Sequence, residues 1–317
     1  SYLNYFKNYL EFSKPKIIIT GIDNDPFFYT ISKTFKVKTI ALINGSRTYW
    51  NDVFNLKSIN NKNNKKKFFI DYLLGQDNYT LKIYDSFISG KKKAIGSFQN
   101  NLQKLKKTTK KKEVLFISGV RVQSYYDQKT LYTTKKGLPL SHRSFYQNDE
   151  KLIKWLSKKC DAKNLNLNIL AKSHLPKDVL KERQFYSKVL KDKKFNFLDK
   201  YKYSAYEILD KYKYIFAIES TLANESLSNN KRTGLIFNRP YIFPMSSRAF
   251  NYMFKLKKKG DFWTCSNSTK EFDRVFNFVV YGESKKWTNI IKKLKKKYIL
   301  VRDENNTFFS KLIKKLI

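Results

Sequence analysis

With 317 residues, 41% of them hydrophobic and 16% aromatic, the chain has length for two domains and apolar surface for two cores, which excludes general disorder. No run approaches the roughly 20 apolar residues of a membrane-spanning helix, and Lys7, Asn8, Glu11 and Lys14 interrupt any signal-peptide pattern. The formal net charge of +39 points to an anionic partner, but A/T-rich codons for Lys, Asn, Ile, Phe and Tyr produce the same excess without one.

The first strand reads as Ile17–Thr20, ending in Gly21-Ile22-Asp23-Asn24-Asp25-Pro26, and Pro26 suits the opening of a helix through about Lys36. A second strand, Thr39–Ile43, ends in Asn44-Gly45-Ser46-Arg47. Strand–helix–strand with polar loops at both carboxyl ends opens a parallel, doubly wound sheet. Residues 57–67 read as a surface loop, with short strands near Lys82–Tyr84 and Ala94–Gly96. The Lys-rich stretch 101–113 reads as a solvated helix or linker, Val114–Ser118 as a third strand, and 119–147 as a long loop. From about 147 the alternation resumes. Helices are expected at 147–160, 177–191 and 203–211, with strands at 167–171, 195–198, 214–218 and 233–237. Three helices, near 269–281, 284–297 and 304–316, close the chain. The boundary is expected near 145, giving domains 1–145 and 146–317, with the last helix crossing back.

Cys160 and Cys265 form no framework, and with only His142 and His174 no metal cluster is expected. A reducing cytoplasm fits this usage. Ser1 in place of Met leaves an upstream segment to be expected.

The strongest constellation is the strand 214–218 followed by Glu219-Ser220-Thr221-Leu222-Ala223-Asn224-Glu225. Two hydroxyls at a helix start, beside unpaired backbone N–H groups, make a phosphate site. Glu225, four residues after Thr221, shares its helix face and suits a ribose hydroxyl. An ordinary N-cap explains the same letters. Lys172 and His174, after the strand 167–171, are further phosphate donors at a carboxyl end. Asp23 and Asp25 are candidates for a general base acting on an acceptor hydroxyl. Their spacing also matches an Asp-x-Asp metal site, and Asp25-Pro26 a plain turn. Arg is rare, at positions 47, 121, 143, 183, 232, 239, 248, 274 and 302. Arg47, Arg239 and Arg248 therefore stand out as bidentate anion contacts, and the scarcity argues against nucleic acid. Trp287, Ile290, Ile291, Leu294 and Tyr298 recur at helical spacing among lysines, as in a membrane-surface helix or a packed helix with a solvated face.

Several phrases resemble the bacterial surface carbohydrate biosynthesis proteins, of the kind found in spirochaetes. They are the stretch Lys14–Asn24 (Lys-Pro-Lys-Ile-Ile-Ile-Thr-Gly-Ile-Asp-Asn), Ile43–Arg47, Ile95–Asn101, Glu182–Tyr186, Glu219–Glu225 and Gly260–Trp263. The order is as in that family. Its Gly-Tyr-Glu-Ala is replaced here by Ala223-Asn224-Glu225-Ser226. The resemblance implies a metal-independent glycosyltransferase of the GT-B type, with two facing Rossmann-like domains and no cofactor beyond a nucleotide-sugar co-substrate. Ser220, Thr221, Glu225, Lys172, His174 and Arg239 would hold the donor. Asn44 and Arg47 would lie on the acceptor side, and Asp23 or Asp25 would act as base. The acceptor would be a surface polysaccharide or lipid-linked glycan, with the protein in the cytoplasm or peripheral at an anionic inner membrane. The alternative is a non-enzymatic lysine-rich protein that binds nucleic acid or anionic membrane through clusters at 65–67, 104–112, 255–259 and 292–297.

Overall fold

A computed structural model of the chain describes residues 2–23, 25–35, 37–43, 45, 68–85, 87–105, 108–120, 130–133, 139–201, 203–238, 259–296 and 298–317. The chain forms two units. The first comprises residues 1–103 and 294–317, and the second residues 104–293.

In the first unit, helix α1 (Tyr2–Ser13) precedes β1 (Ile17–Thr20), α2 (Phe28–Thr34), β2 (Lys38–Leu42), β3 (Phe68–Gly75), α3 (Asn78–Tyr84), β4 (Ile88–Ala94) and the single turn α4 (Phe98–Asn101). The sheet runs β1-β2-β3-β4, all parallel. Both faces are covered, as a parallel sheet requires. Ile18, Ala41, Ile70 and Leu73 meet α1, α2 and α3 on one face, while Ile17, Ile40, Leu42 and Leu74 meet the last helix on the other. The alternation along β2 is the period-two signature of a strand.

One expectation fails here, and one strand was not foreseen. Residues 82–84 belong to helix α3, because Asp77 caps it and accepts from Thr80 N at 2.7 Å and Thr80 Oγ1 at 2.9 Å. The strand 68–75 was hidden beside the Lys/Asn-rich stretch, yet it pairs with both β2 and β4.

The second unit begins with β5 (Lys110–Ile117), the hairpin strands β6 (Thr130–Thr133) and β7 (Pro139–Ser141), and α5 (His142–Asp161). It continues with β8 (Asn166–Leu170), α6 (Pro176–Leu190), β9 (Asn196–Leu198), α7 (Ala205–Lys211), β10 (Tyr212–Ala217), α8 (Thr221–Ser228) and β11 (Arg232–Ile236). Short β12 (Lys259–Gly260) and β13 (Trp263–Thr264) lead to α9 (Thr269–Tyr281) and α10 (Ser284–Lys295). A 3₁₀ turn (Glu304–Asn306) then opens α11 (Thr307–Leu316), back in the first unit.

Read from one edge, the second sheet runs β9-β8-β5-β10-β11-β13-β12, parallel except for the β12–β13 pair. The chain leaves β5 through β8 to β9, then returns to the other side of β5 with β10 and β11. The order therefore reverses between β5 and β10, the position at which open α/β sheets take ligands. The division falls at 103/104 and not near 145, because β5 pairs with Asn166–Leu170 and with β10. Nothing local in 110–118 reveals those distant partners. The Lys-rich segment before it contributes Lys110–Lys112 to the strand itself.

Candidate functional site

The reversal point is built from the carboxyl ends of three neighbouring strands. β10 ends at Ala217, and Ile218-Glu219-Ser220 carries the chain into α8. Ser220 is the N-cap, with extended backbone, and its carbonyl accepts the N–H groups of Ala223 and Asn224 at 3.2 and 3.3 Å. Its hydroxyl makes no cap hydrogen bond. An ordinary Ser N-cap folds its hydroxyl onto the N–H two or three residues on. Ser220 leaves the first N–H groups of α8 without that partner, and both Ser220 and Thr221 are half-buried, not sealed in the core.

Across β5, the end of β8 carries Lys172, Ser173 and His174. One sheet spacing on each side of β5 puts the two loops roughly 10 Å apart. Lys172 Nζ donates to the Gly119 carbonyl at 3.3 Å, just past the end of β5. His174 is exposed at the start of α6, which opens on Pro176.

What holds this loop was not identified from the sequence. Glu182, fully buried on α6, accepts the N–H of Lys172 at 2.9 Å and of Ser173 at 3.0 Å, one on each carboxylate oxygen. Lys200, after β9, donates to the Lys172 carbonyl at 3.0 Å, and burial holds its ammonium below the usual lysine range against the opposing pull of Glu182. Four residues from Glu182 on the same helix face, Tyr186 donates to Ser118 Oγ at 2.8 Å at the end of β5. The phrase Glu182–Tyr186 thus ties α6 to two strand ends. A Glu and a Tyr at i and i+4 were the available signal.

Other site candidates take different places. Glu225 is 3% exposed and accepts the Tyr206 hydroxyl at 3.2 Å, so its carboxylate works inside the unit. Asp23 is fully buried, and its carbonyl accepts the Tyr29 hydroxyl at 2.5 Å. Asp25 is exposed and accepts Phe27 N at 3.0 Å, the turn that opens α2. Asn44, Arg47, Arg239 and Arg248 lie outside the described residues. Arg232 donates to the Phe278 and Val279 carbonyls, and Arg274 to those of Gly260, Asp261 and Trp263, so these two arginines hold the last turn of α9 and the β12–β13 connection. The α10 stripe faces inward: Trp287, Ile291 and Leu294 are buried, and Trp287 packs on Phe262 and Phe278.

A family model described as "putative O-antigen biosynthesis protein" matches residues 40–317. The chain belongs to this family. No curated protein matches it significantly. Among solved structures, this family member is similar to the UDP-GlcNAc 2-epimerase of Methanocaldococcus jannaschii, with TM-score 0.52 and 8% identity over 99% of this chain and 79% of that one. It is also similar to the wall teichoic acid polymerase TagF (TM-score 0.53, 11% identity, 98% of this chain and 74% of that one). Against the pneumococcal O-GlcNAc transferase GtfA the TM-score is 0.53 at 8% identity, over 98% of this chain and 60% of that one. At these identities the likeness is one of fold: α/β units with parallel sheets, as in GT-B glycosyltransferases. Among the described residues no helix is long and apolar enough to cross a membrane.

Proposed function

We propose that this O-antigen family member is a glycosyltransferase that moves a sugar from a nucleotide-sugar donor to a bacterial surface glycan or its lipid-linked precursor. One observation carries the reading: Ser220 caps α8 at the strand-order reversal while its hydroxyl stays off the helix. In the proposal that hydroxyl, Thr221 and the open N–H groups of α8 hold the donor phosphates. Lys172 and His174, with Arg239, add positive charge. As the sugar–phosphate bond breaks, negative charge grows on the leaving phosphate, and fixed dipoles and cations already aimed there lower the barrier.

Glu182 occupies the N–H groups of 172 and 173, so the 172–174 loop would act through its side chains. Glu225 would support the donor indirectly by orienting half-buried Tyr206. Of the two acidic candidates for the acceptor proton, Asp25 is the one open to solvent; Asn44 and Arg47 complete the acceptor side of the proposal. A lipid-linked acceptor would bring the protein to the cytoplasmic face of the inner membrane.

Thermal shift and calorimetry with CMP-, UDP-, GDP- and dTDP-sugars test the reading. One class should raise the melting temperature. Ser220→Ala with Thr221→Ala should lose at least tenfold in affinity for it while melting within a few degrees of wild type, because neither side chain is committed to the core. Equal nucleotide-sugar binding by that variant would overturn the site.

A further inference from the structure

Apolar side chains occupy two faces of α1. Phe6 and Leu10 point into the first-unit core, packed with Phe27, Phe35 and their neighbours. Tyr5, Tyr9 and Phe12 do not: they are 69%, 55% and 89% exposed. Spacings of four and three residues align them as one outward stripe. Folding of the unit does not account for a Phe so open to water, and a continuous exposed aromatic stripe marks an interaction surface.

The charge around the stripe identifies the partner. The acidic residue of α1, Glu11, is paired with Lys7 at 3.8 Å, well around the helix from the aromatic stripe. Beyond Phe12 come Lys14 and Lys16, both exposed. Lys16 Nζ donates to the Ile317 carbonyl at 2.9 Å, at the end of α11, whose apolar side covers the other face of the sheet. A row of Tyr and Phe beside a group of lysines is the composition that lodges at the headgroup level of an anionic bilayer. The rings enter the interface while the ammonium groups meet lipid phosphates.

We propose that the outward stripe of α1 docks on an anionic membrane surface, with Tyr5, Tyr9 and Phe12 inserted and Lys14 and Lys16 on the headgroups. The inference rests on the membrane placement proposed above and not on the donor site. It assigns the contact to α1, whereas the stripe of α10 is buried.

Flotation of the full chain with vesicles of phosphatidylcholine alone, or mixed with phosphatidylglycerol, tests it. Wild type should float with the anionic vesicles, and Tyr5→Ser/Tyr9→Ser/Phe12→Ser should lose at least tenfold in partitioning with an unchanged melting temperature. Phe12→Ser alone, at the most exposed position, should fold normally and lose several-fold. Flotation of the triple variant equal to wild type would reduce the contact to bare charge and overturn the stripe. So would a lipid-free wild-type dimer that the triple variant converts to monomer, since a second copy would then cover the face. Retained flotation without any nucleotide-sugar binding would sink the donor reading and leave this one standing.

Discussion

Asn101 and Asn306, 205 residues apart, are joined side chain to side chain: Asn101 Nδ2 donates to Asn306 Oδ1 at 2.8 Å, inside the first unit. The same amide group reaches the Ile95 carbonyl at 2.7 Å, and Asp303 N donates to Asn101 Oδ1 at 3.0 Å. Asn306 in turn donates to the Phe98 carbonyl at 3.1 Å. The phrase Ile95–Asn101 is therefore a clasp for the segment that returns from the second unit. Removing one member leaves buried backbone groups without partners. Asn101→Ala should cost about 2–3 kcal/mol in chemical denaturation, and Asn101→Ala with Asn306→Ala should cost less than the sum of the two single changes. Additive losses would mean that the two amides act independently.

Gly96 belongs to the same clasp. Its φ is +81°, and a Cβ there would lie 2.2 Å from the Val301 carbonyl oxygen. That oxygen is backbone and has no rotamer through which to retreat, so Gly96→Ala should destabilise by about 3 kcal/mol or more, strain and clash together. A melting temperature within two or three degrees of wild type would contradict the close approach.

Glu182 separates a positioning role from a purely structural one. Glu182→Gln keeps one acceptor oxygen for the 172–173 N–H groups, while Glu182→Ala keeps none and should cost about 2–4 kcal/mol. Under the proposed function the Ala variant also frees the loop bearing Lys172. Nucleotide-sugar affinity should then fall further than stability predicts at a temperature where the protein remains folded, with partial recovery in Gln. Unchanged affinity in the folded Ala variant would remove the loop from the donor site.

Asp77 supplies a pH dependence. Burial pushes its carboxyl up to about 6, against the lowering effect of the Thr80 hydrogen bonds. The folded state therefore holds the proton more tightly than the unfolded chain. Stability falls as pH rises from about 4 through about 6 and is level above that. Wild type should gain about 1 kcal/mol relative to Asp77→Asn between pH 7 and pH 5, read as the difference between their denaturation curves. Comparing the two proteins cancels the common effect of the +39 charge. Parallel pH curves would show that Asp77 does not titrate in this range.

Much of the second unit was legible because its signals are local. Strand and helix periodicities over 166–236 come from residues within one or two turns of each other, and the Ser220-Thr221 helix start follows a buried strand in the letters themselves. The three closing helices stood out for the same reason, as did the polar loops at strand ends.

What the letters left open was decided by contacts between distant residues. Strand 110–117 joins the second sheet through partners 50 to 100 positions away, and no property of the strand names them. The apolar stripes of α1 and α10 are alike in sequence, yet one is exposed and the other buried, because burial depends on which surface arrives opposite. Ser220 reads as a cap in either role; only the fold leaves its hydroxyl off the helix, where β10 meets the reversal of strand order. Periodicity is a property of neighbours along the chain, whereas pairing, burial and the freedom of a hydroxyl are properties of neighbours in space.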